Sequence, residues 1–503
     1  MTRVLAILLD AASPELIEKW TDDGSLPNLR RLRQEGAYGR LGSVAEWLSE
    51  ATHYVFHMGQ NPGATALTGY SIWDKGTMQS RIPAADWCAF TPFWRAFRED
   101  GPRAVVVDPA SVYAPEPFNG VEIIGWASHD ALAPFQTYPP ELAASIDGRY
   151  GSWLLPDESY GPMSKREFIA TMHLMREINE KFKDLCIELM QTQEWDLFLA
   201  HNFTAHNAGH RLWSTVNITD RLSESEKNEL DGILRRVYMD CDRSIGAIVD
   251  AAGPETCVLV FSLHGMGVNH SRTSAFPEML RRIVDGRPSS PGLLKRLRGL
   301  IPQGWRHQVK SLLPFEMRRR LTSYWRMSEY DWERTRAFSL LSDTEAWVRI
   351  NLKGREARGL VEPGEEYEAL CRKISEGLKT FVDADTGEPL VRDVVRTRDI
   401  FSGGRVDDLP DLIVRWSEAP ASQHRAISSP QFGVITWPTP GHNPEGRSGN
   451  HRSQGMLIAA GPGVQAGEIR KADILDLAPT ILSLLGQPIP AAMEGKPLRL
   501  LES

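Results

Sequence analysis

The chain has 503 residues, 42% of them apolar and 24% charged, and its 57 Lys and Arg against 65 Asp and Glu give a formal charge of −8. At roughly 100–200 residues per domain this length implies a large core with an inserted or second module, and the composition is that of an ordinary soluble globular protein. The acidic balance argues against nucleic acid as a stable partner, and 41 Gly with 33 Pro exclude a collagen-like or low-complexity chain.

The apolar run at residues 4–9 ends in Asp10 and small residues, which predicts a buried strand that delivers a carboxylate at its C-terminal end. The run is shorter than the apolar core of a secretion signal, and no stretch nears the ~20 apolar residues of a spanning helix. Five scattered cysteines (Cys88, Cys186, Cys241, Cys257, Cys371) form no Cys-x-x-Cys pair, so neither a disulfide framework nor a cysteine zinc site is signalled. The expected compartment is the reducing cytoplasm. Pro14 with Leu16 and Trp20 predicts a short helix, and Leu26-Pro27-Asn28 opens another that stops at Gly36. Ser164-x-x-Glu167 is a capping-box pattern ahead of a long periodic stretch at 168–190. Residues 195–200 read as a strand, Ser223-x-x-Glu226 opens a helix through Val249, and 258–262 is the next apolar strand. This alternation predicts an α/β layered fold.

Residues 281–326 break the pattern, with twelve Lys and Arg against Asp285 and Glu316, interleaved with Leu293, Leu294, Leu297, Leu300 and Ile301. They predict a basic helical insertion or cap over 281–335; a solvated face is the plainer reading and contact with an anionic surface the sharper one. The core is then expected in two parts, 1–280 and 336–503. Strands are expected at 347–351, 412–416 and 455–460, and a final helix runs from Asp473 through Leu485 to Gly486.

His206-x-x-x-His210 follows the predicted strand at 195–200. On a helical turn, positions i and i+4 share a face about 5–6 Å apart, close enough for two imidazoles to meet one metal ion. His264 follows the strand at 258–262, in Ser262-Leu263-His264-Gly265, and His451 lies just before the strand at 455–460. Ligands of open α/β sheets bind outside the carboxyl ends of the strands, and Asp10, His206, His210 and His264 all fall at such ends. Arg447 and Arg452 flank His451 and are candidates to fork onto phosphate or sulfate oxygens. Trp47, Tyr54, Tyr70 and Trp73 read mainly as core aromatics.

These stretches resemble the alkaline phosphatase superfamily, in its type I phosphodiesterase/nucleotide pyrophosphatase branch. Leu8-Leu9-Asp10 with Leu26-Pro27-Asn28-Leu29 is similar to the family's opening metal aspartate and the helix after it. Ser49-Glu50-Ala51-Thr52-His53-Tyr54, continuing to Gly59-Gln60-Asn61-Pro62-Gly63, resembles the nucleophile segment, with the nucleophile on Ser49 and Thr52 as the neighbour in question. His206-Asn207-Ala208-Gly209-His210 resembles the Asp-x-x-x-His metal motif with His206 in the Asp position, and Leu263-His264-Gly265 resembles Asp-His-Gly with Leu263 where a metal-binding Asp is usual. Gly449-Asn450-His451-Arg452 resembles the last histidine motif.

The resemblance implies an alkaline-phosphatase-like, mostly parallel central sheet flanked by helices. It also implies a divalent metal, Zn foremost with Mn or Fe as alternatives, in one or two sites. One site would take His206, His210 and His451. The other would take Asp10, Ser49 and His264, with Asn269 or His270 as stand-ins for the ligand missing at Leu263. The implied activity is hydrolysis of a small-molecule phosphate ester through a seryl intermediate, with phosphodiester or pyrophosphate ahead of monoester. A phospho- or sulfo-transferase or a sulfatase on the same fold is the first alternative, and a degenerate binding protein is the second. Should Ser49 lack a full second metal site, His53 or His57 is within sequence reach as a base, although packing histidines is the plainer reading of both.

Overall fold

The residues from Val4 to Leu9 are all fully buried, because the strand Arg3–Leu9 lies in the middle of a ten-stranded sheet. The computed structural model describes residues 2–501 apart from 85–86, 89, 111–113, 129–133, 153, 156–160, 287–329 and 444–445. Across the sheet run Ala37–Gly42, Gly455–Ala460, Thr256–Ser262, Arg3–Leu9, Leu197–Asn202, Ala104–Val107, Gly120–Ile124 and Gln136–Tyr138, in that order. The five strands from Thr256–Ser262 to Gly120–Ile124 are parallel. Gly455–Ala460 is antiparallel to both of its neighbours.

Side chains alternate across a strand, so one buried strand feeds two cores. Leu5, Ile7 and Leu9 join a cluster with Phe168, Met172 and Phe182 of the helix Lys165–Thr192 and with Cys241 and Ile245 of the helix Ile233–Ala252. Val4, Ala6 and Leu8 join a second cluster with Val55 and Phe56 of the helix Thr52–Met58 and with Ile481 of the helix Leu477–Leu484. Near-continuous apolar strands covered on both faces are what a parallel sheet requires. Both expected capping boxes form, at Ser164/Glu167 and Ser223/Glu226. The helix expected from Ser223 through Val249 is two, Glu224–Asp231 and Ile233–Ala252, parted at Gly232.

The described strands of residues 336–503 fall in several sheets, among them a three-stranded one of Val382–Asp383, Ala426–Ser429 and Gly433–Thr436. Gly455–Ala460 joins the central one, whereas Ala337–Leu340, Ala346–Ile350, Leu412–Trp416 and Val391–Arg396 pair antiparallel in a separate four-stranded sheet. The helices Phe276–Asp285 and Glu365–Leu378 close a core of their own over it, with Phe276, Leu280, Tyr367 and Ile374 inside. Arg281 and Arg282, read as the start of the basic insertion, belong to the helix Phe276–Asp285, where Glu278 pairs with both at 3.1 and 2.8 Å. Most of the basic segment, 287–329, lies outside the described residues. Among the described residues all five cysteines are free, and no helix is long and apolar enough to cross a membrane.

Candidate active site

Three parallel strands deliver functional side chains at their carboxyl ends. Asp10 directly follows Arg3–Leu9, the helix Thr204–Leu212 carries His206 and His210 just beyond Leu197–Asn202, and His264 follows Thr256–Ser262. A short antiparallel ribbon adds the fourth histidine. Gly265–Val268 pairs with Gly449–Arg452 in a register that sets Met266 opposite His451, and the His264 and His451 ring centroids lie 4.4 Å apart. The helix is pressed against this ribbon. A Cβ on Gly449 would stand 2.2 Å from the Gly209 carbonyl oxygen, and one on Gly209 would stand 2.7 Å from Met266 Cγ, so neither position has room for a side chain.

The ring nitrogens are oriented one by one. His206 Nδ1 lies 2.6 Å from Asp10 Oδ2, and His210 Nδ1 lies 3.0 Å from the Gly449 carbonyl. Both partners accept, so each Nδ1 carries a proton and each ring turns Nε2 to the other. Those two Nε2 atoms are 2.9 Å apart, a separation at which a proton or a metal ion is shared between them. His264 Nδ1 faces its neighbour's carbonyl at Gly265, 3.3 Å away, which leaves Nε2 on the Asp10 side, 4.0 Å from Oδ1. His206, His264 and His451 each offer a nitrogen within 4.8 Å of the others. His451 is buried with both ring nitrogens unpartnered among the described residues. Burial, then the neighbouring His264, His210 and His206 rings and Arg447, hold it well below the ordinary histidine range, so it is neutral, the form that ligates. The donor set therefore fits a divalent transition metal. An imidazole whose second nitrogen is anchored by a carboxylate or carbonyl is the usual surrounding of such an ion.

The residues of the two metal groupings expected from the resemblance adjoin one another: His264 packs against His451, and His206 touches both Asp10 and His210. Leu263 is fully buried in the apolar core. Neither proposed stand-in reaches the cluster. Asn269 spends its side chain on the Arg447 carbonyl and the Ser271 amide, and His270 pairs with Arg452 at 2.7 Å.

Ser49 opens a single turn, Ser49–Ala51, ahead of the helix Thr52–Met58, and lines the same cleft as His53, His206, His264 and His451. Its hydroxyl donates to Glu345 Oε2 at 3.0 Å. Glu345 is buried, and burial raises its pKa to about 7 against the lowering pull of hydrogen bonds from its own backbone and from Ser49. Thr52 is buried in the same cleft, its hydroxyl turned back to the Ser49 carbonyl at 3.3 Å. Arg447 reaches the cleft and pairs with Asp343 at 3.1 Å, whereas Arg452 lines a neighbouring cleft together with His270 and Arg392. Tyr70 also lines the site. Tyr54 packs on Phe90, Trp73 on Phe338, and Trp47 under Arg415.

Glu345 and Asp343 are the residues that sequence reasoning did not place here, and His53, which it named as a possible base for Ser49 but read mainly as packing, lines the cleft. His53 Nε2 lies 3.3 Å from Asp10 Oδ1. Glu345 and Asp343 sit just ahead of the strand Ala346–Ile350 in a segment with no motif of its own, and only the pairing of the second sheet carries them to Ser49 and Arg447.

Residues 4–419 match the family model for type I phosphodiesterase/nucleotide pyrophosphatase. Among solved structures the chain is similar to phosphonoacetate hydrolase from Sinorhizobium meliloti 1021 in complex with phosphonoacetate, at 13% identity over 96% of both chains with a TM-score of 0.50. It is also similar to human ectonucleotide pyrophosphatase/phosphodiesterase 5, at 12% identity over 100% of both chains with a TM-score of 0.48. The first likeness shows a shared fold, of the alkaline-phosphatase-like kind. A search of curated proteins finds no match.

Proposed function

Because the chain belongs to the type I phosphodiesterase/nucleotide pyrophosphatase family, its chemistry is that of a phosphodiesterase- or pyrophosphatase-type hydrolase of phosphate esters, and we propose that it cleaves a small phosphodiester or pyrophosphate with Ser49 as the nucleophile. The observation that carries this reading is the 3.0 Å hydrogen bond from Ser49, which lines the cleft of the histidines, to the buried carboxylate of Glu345 beside it. A carboxylate that titrates near 7 both accepts and returns a proton at neutral pH. Ser49 Oγ gives its proton to Glu345 and forms a bond to phosphorus as the bond to the leaving oxygen breaks. Water then forms its own bond to phosphorus, the bond from Ser49 breaks, and Glu345 returns the proton to Ser49. The proton released by the water balances the one taken up by the leaving group.

Asp10, His206, His210, His264 and His451 would hold the metal, with Zn2+ suiting this imidazole-rich set best. When bound, such an ion supplies Lewis-acid stabilisation of the phosphoryl oxygens. Arg447, kept in place by Asp343, offers its guanidinium to the non-bridging oxygens of the substrate. Arg452 lines the adjoining cleft, which His451 and Glu345 also line, and is paired there with His270.

The test is turnover of bis(p-nitrophenyl) phosphate, p-nitrophenyl phosphate and p-nitrophenyl sulfate by the wild type and by Ser49→Ala, with mass spectrometry of the quenched enzyme. The expected result is diester turnover ahead of the other two, a phosphorylated Ser49 peptide in the wild type, and none of either in the variant. An active Ser49→Ala enzyme would overturn the nucleophile, and a preference for the sulfate would make the chain a sulfatase.

A further inference from the structure

A second set of imidazoles lies behind the cleft wall. His53 and His57 stand one turn apart, at i and i+4, on the helix Thr52–Met58, and His201 projects from the strand Leu197–Asn202. The ring centroids are 6.1 Å apart for His53 and His57, 6.0 Å for His53 and His201, and 5.6 Å for His57 and His201. One nitrogen from each ring lies within 4.8 Å of the other two. His57 and His201 are 0% and 1% exposed, and His53 reaches the cleft at 7%. Aromatic rings stand around them: Trp94 is edge-on to His57 at 4.8 Å, Phe56 lies near His57 and His201, and Phe203 near His53 and His201, with the Arg95 guanidinium within electrostatic reach of His57.

Both nitrogens of His57, both of His201 and Nδ1 of His53 are buried with no hydrogen-bond partner among the described residues. A neutral imidazole carries one N–H donor and one lone pair, and buried polar groups in native proteins are almost always satisfied. Five orphaned nitrogens converging in one apolar pocket therefore mark a missing occupant. Packing alone does not account for them, since leucine or phenylalanine would fill the same space without the desolvation cost. Two features favour a cation over water. The i, i+4 pair with a third ring facing it is a metal-binding spacing. His53 Nε2 lies 3.3 Å from Asp10 Oδ1, so a carboxylate stands beside the set.

We propose that His53, His57 and His201 form a buried three-imidazole site for a divalent transition-metal ion of the Zn2+ class, separate from the cleft cluster and joined to it through the carboxylate of Asp10. The site does not depend on the reaction proposed above. Its occupant fastens the helix that follows Ser49 to the central strand Leu197–Asn202, and His53 at the cleft wall is the way in.

The experiment uses the full chain without a histidine tag, dialysed against Zn2+ and then metal-free buffer. Zinc is counted by mass spectrometry in the wild type, in His57→Leu, in the double variant His206→Ala/His451→Ala, and in the triple combination. The double variant is expected to keep one ion per chain, and His57→Leu is expected to remove one ion from either background and to lower the melting temperature measured in Zn2+. A folded double variant without zinc would overturn the site, as would His57→Leu with an unchanged count and a raised melting temperature, the result expected of an unfilled pocket relieved of its orphaned ring. Should a variant fail to fold, wild-type crystals grown with Zn2+ decide the matter. An anomalous zinc peak among the three rings supports the site, and its absence there overturns it.

Discussion

The cleft has two walls of different origin. One is the imidazole wall, set on the carboxyl ends of the parallel strands with His451 zipped onto it by the ribbon; the other holds Asp343 and Arg447, with Glu345 bonded to Ser49 from the adjoining cleft, all carried in by the segment before the second sheet and the loop before the ribbon. On the first wall almost every ring is fixed by a carboxylate or a carbonyl, an arrangement suited to gripping a cation. On the second a carboxylate near neutrality meets a hydroxyl, and a guanidinium is held by an acid, an arrangement suited to moving a proton and meeting an anion. The difference teaches that the wall suited to a cation and the wall suited to a proton and an anion are built by separate parts of the chain, and each is open to separate damage.

The sharpest way to break that division is to strip the first wall. His206→Ala or His451→Ala is expected to lose the zinc of the cleft and to lower diester turnover by about a thousandfold or more, the scale of several kcal/mol of metal stabilisation. Ser49→Ala, measured for metal content and turnover side by side, is expected to lose about as much activity while keeping its zinc.

Glu345→Gln comes next, with a fall of about a hundredfold in kcat/KM and zinc retained. In the wild type kcat/KM is expected to rise through pH about 7 as Glu345 ionises, and the variant is expected to lose that limb. Stability runs the other way. Glu345 binds its proton more tightly folded than unfolded, so the wild type loses stability as pH climbs from the ordinary carboxyl range through about 7, and Glu345→Gln flattens that slope in thermal melts. A Glu345→Gln enzyme that loses its zinc would end the two-wall picture. The smallest effects separate the two arginines: Arg447→Ala is expected to raise KM by about tenfold, the worth of one charge-assisted hydrogen bond, and Arg452→Ala to change it by less than about twofold.

The first wall was legible because its signals are local. An i, i+4 histidine pair after an apolar run, and single His or Asp residues at strand ends, point to one edge of a parallel sheet without knowledge of the rest. The capping boxes at Ser164 and Ser223 were legible for the same reason. The second wall was not. Ser342-Asp343-Thr344-Glu345 carries no pattern, and its place depends on Ala346–Ile350 pairing with Leu412–Trp416, contacts that no local window contains. The same blindness placed the strands at 346–350 and 412–416 in the main core, since an apolar run reads alike in either sheet. It also left His57 and His201 hidden, because a histidine amid aromatic neighbours looks like packing until its unpaired nitrogens are located in space.

The ribbon between Gly265–Val268 and Gly449–Arg452, closed by the Asn269 amide on the Ser448 carbonyl at 3.0 Å, works as a clasp. Asn269 and Ser448 meet at this clasp, and described residues between them are tied to the body elsewhere too: Trp347, Phe401, Leu409 and Ile413 pack into the core beneath the central sheet, and Glu345 reaches Ser49. Close-packed interiors transmit strain, so a change in the second sheet is felt at the cleft through that shared core even while the clasp keeps His264 and His451 side by side.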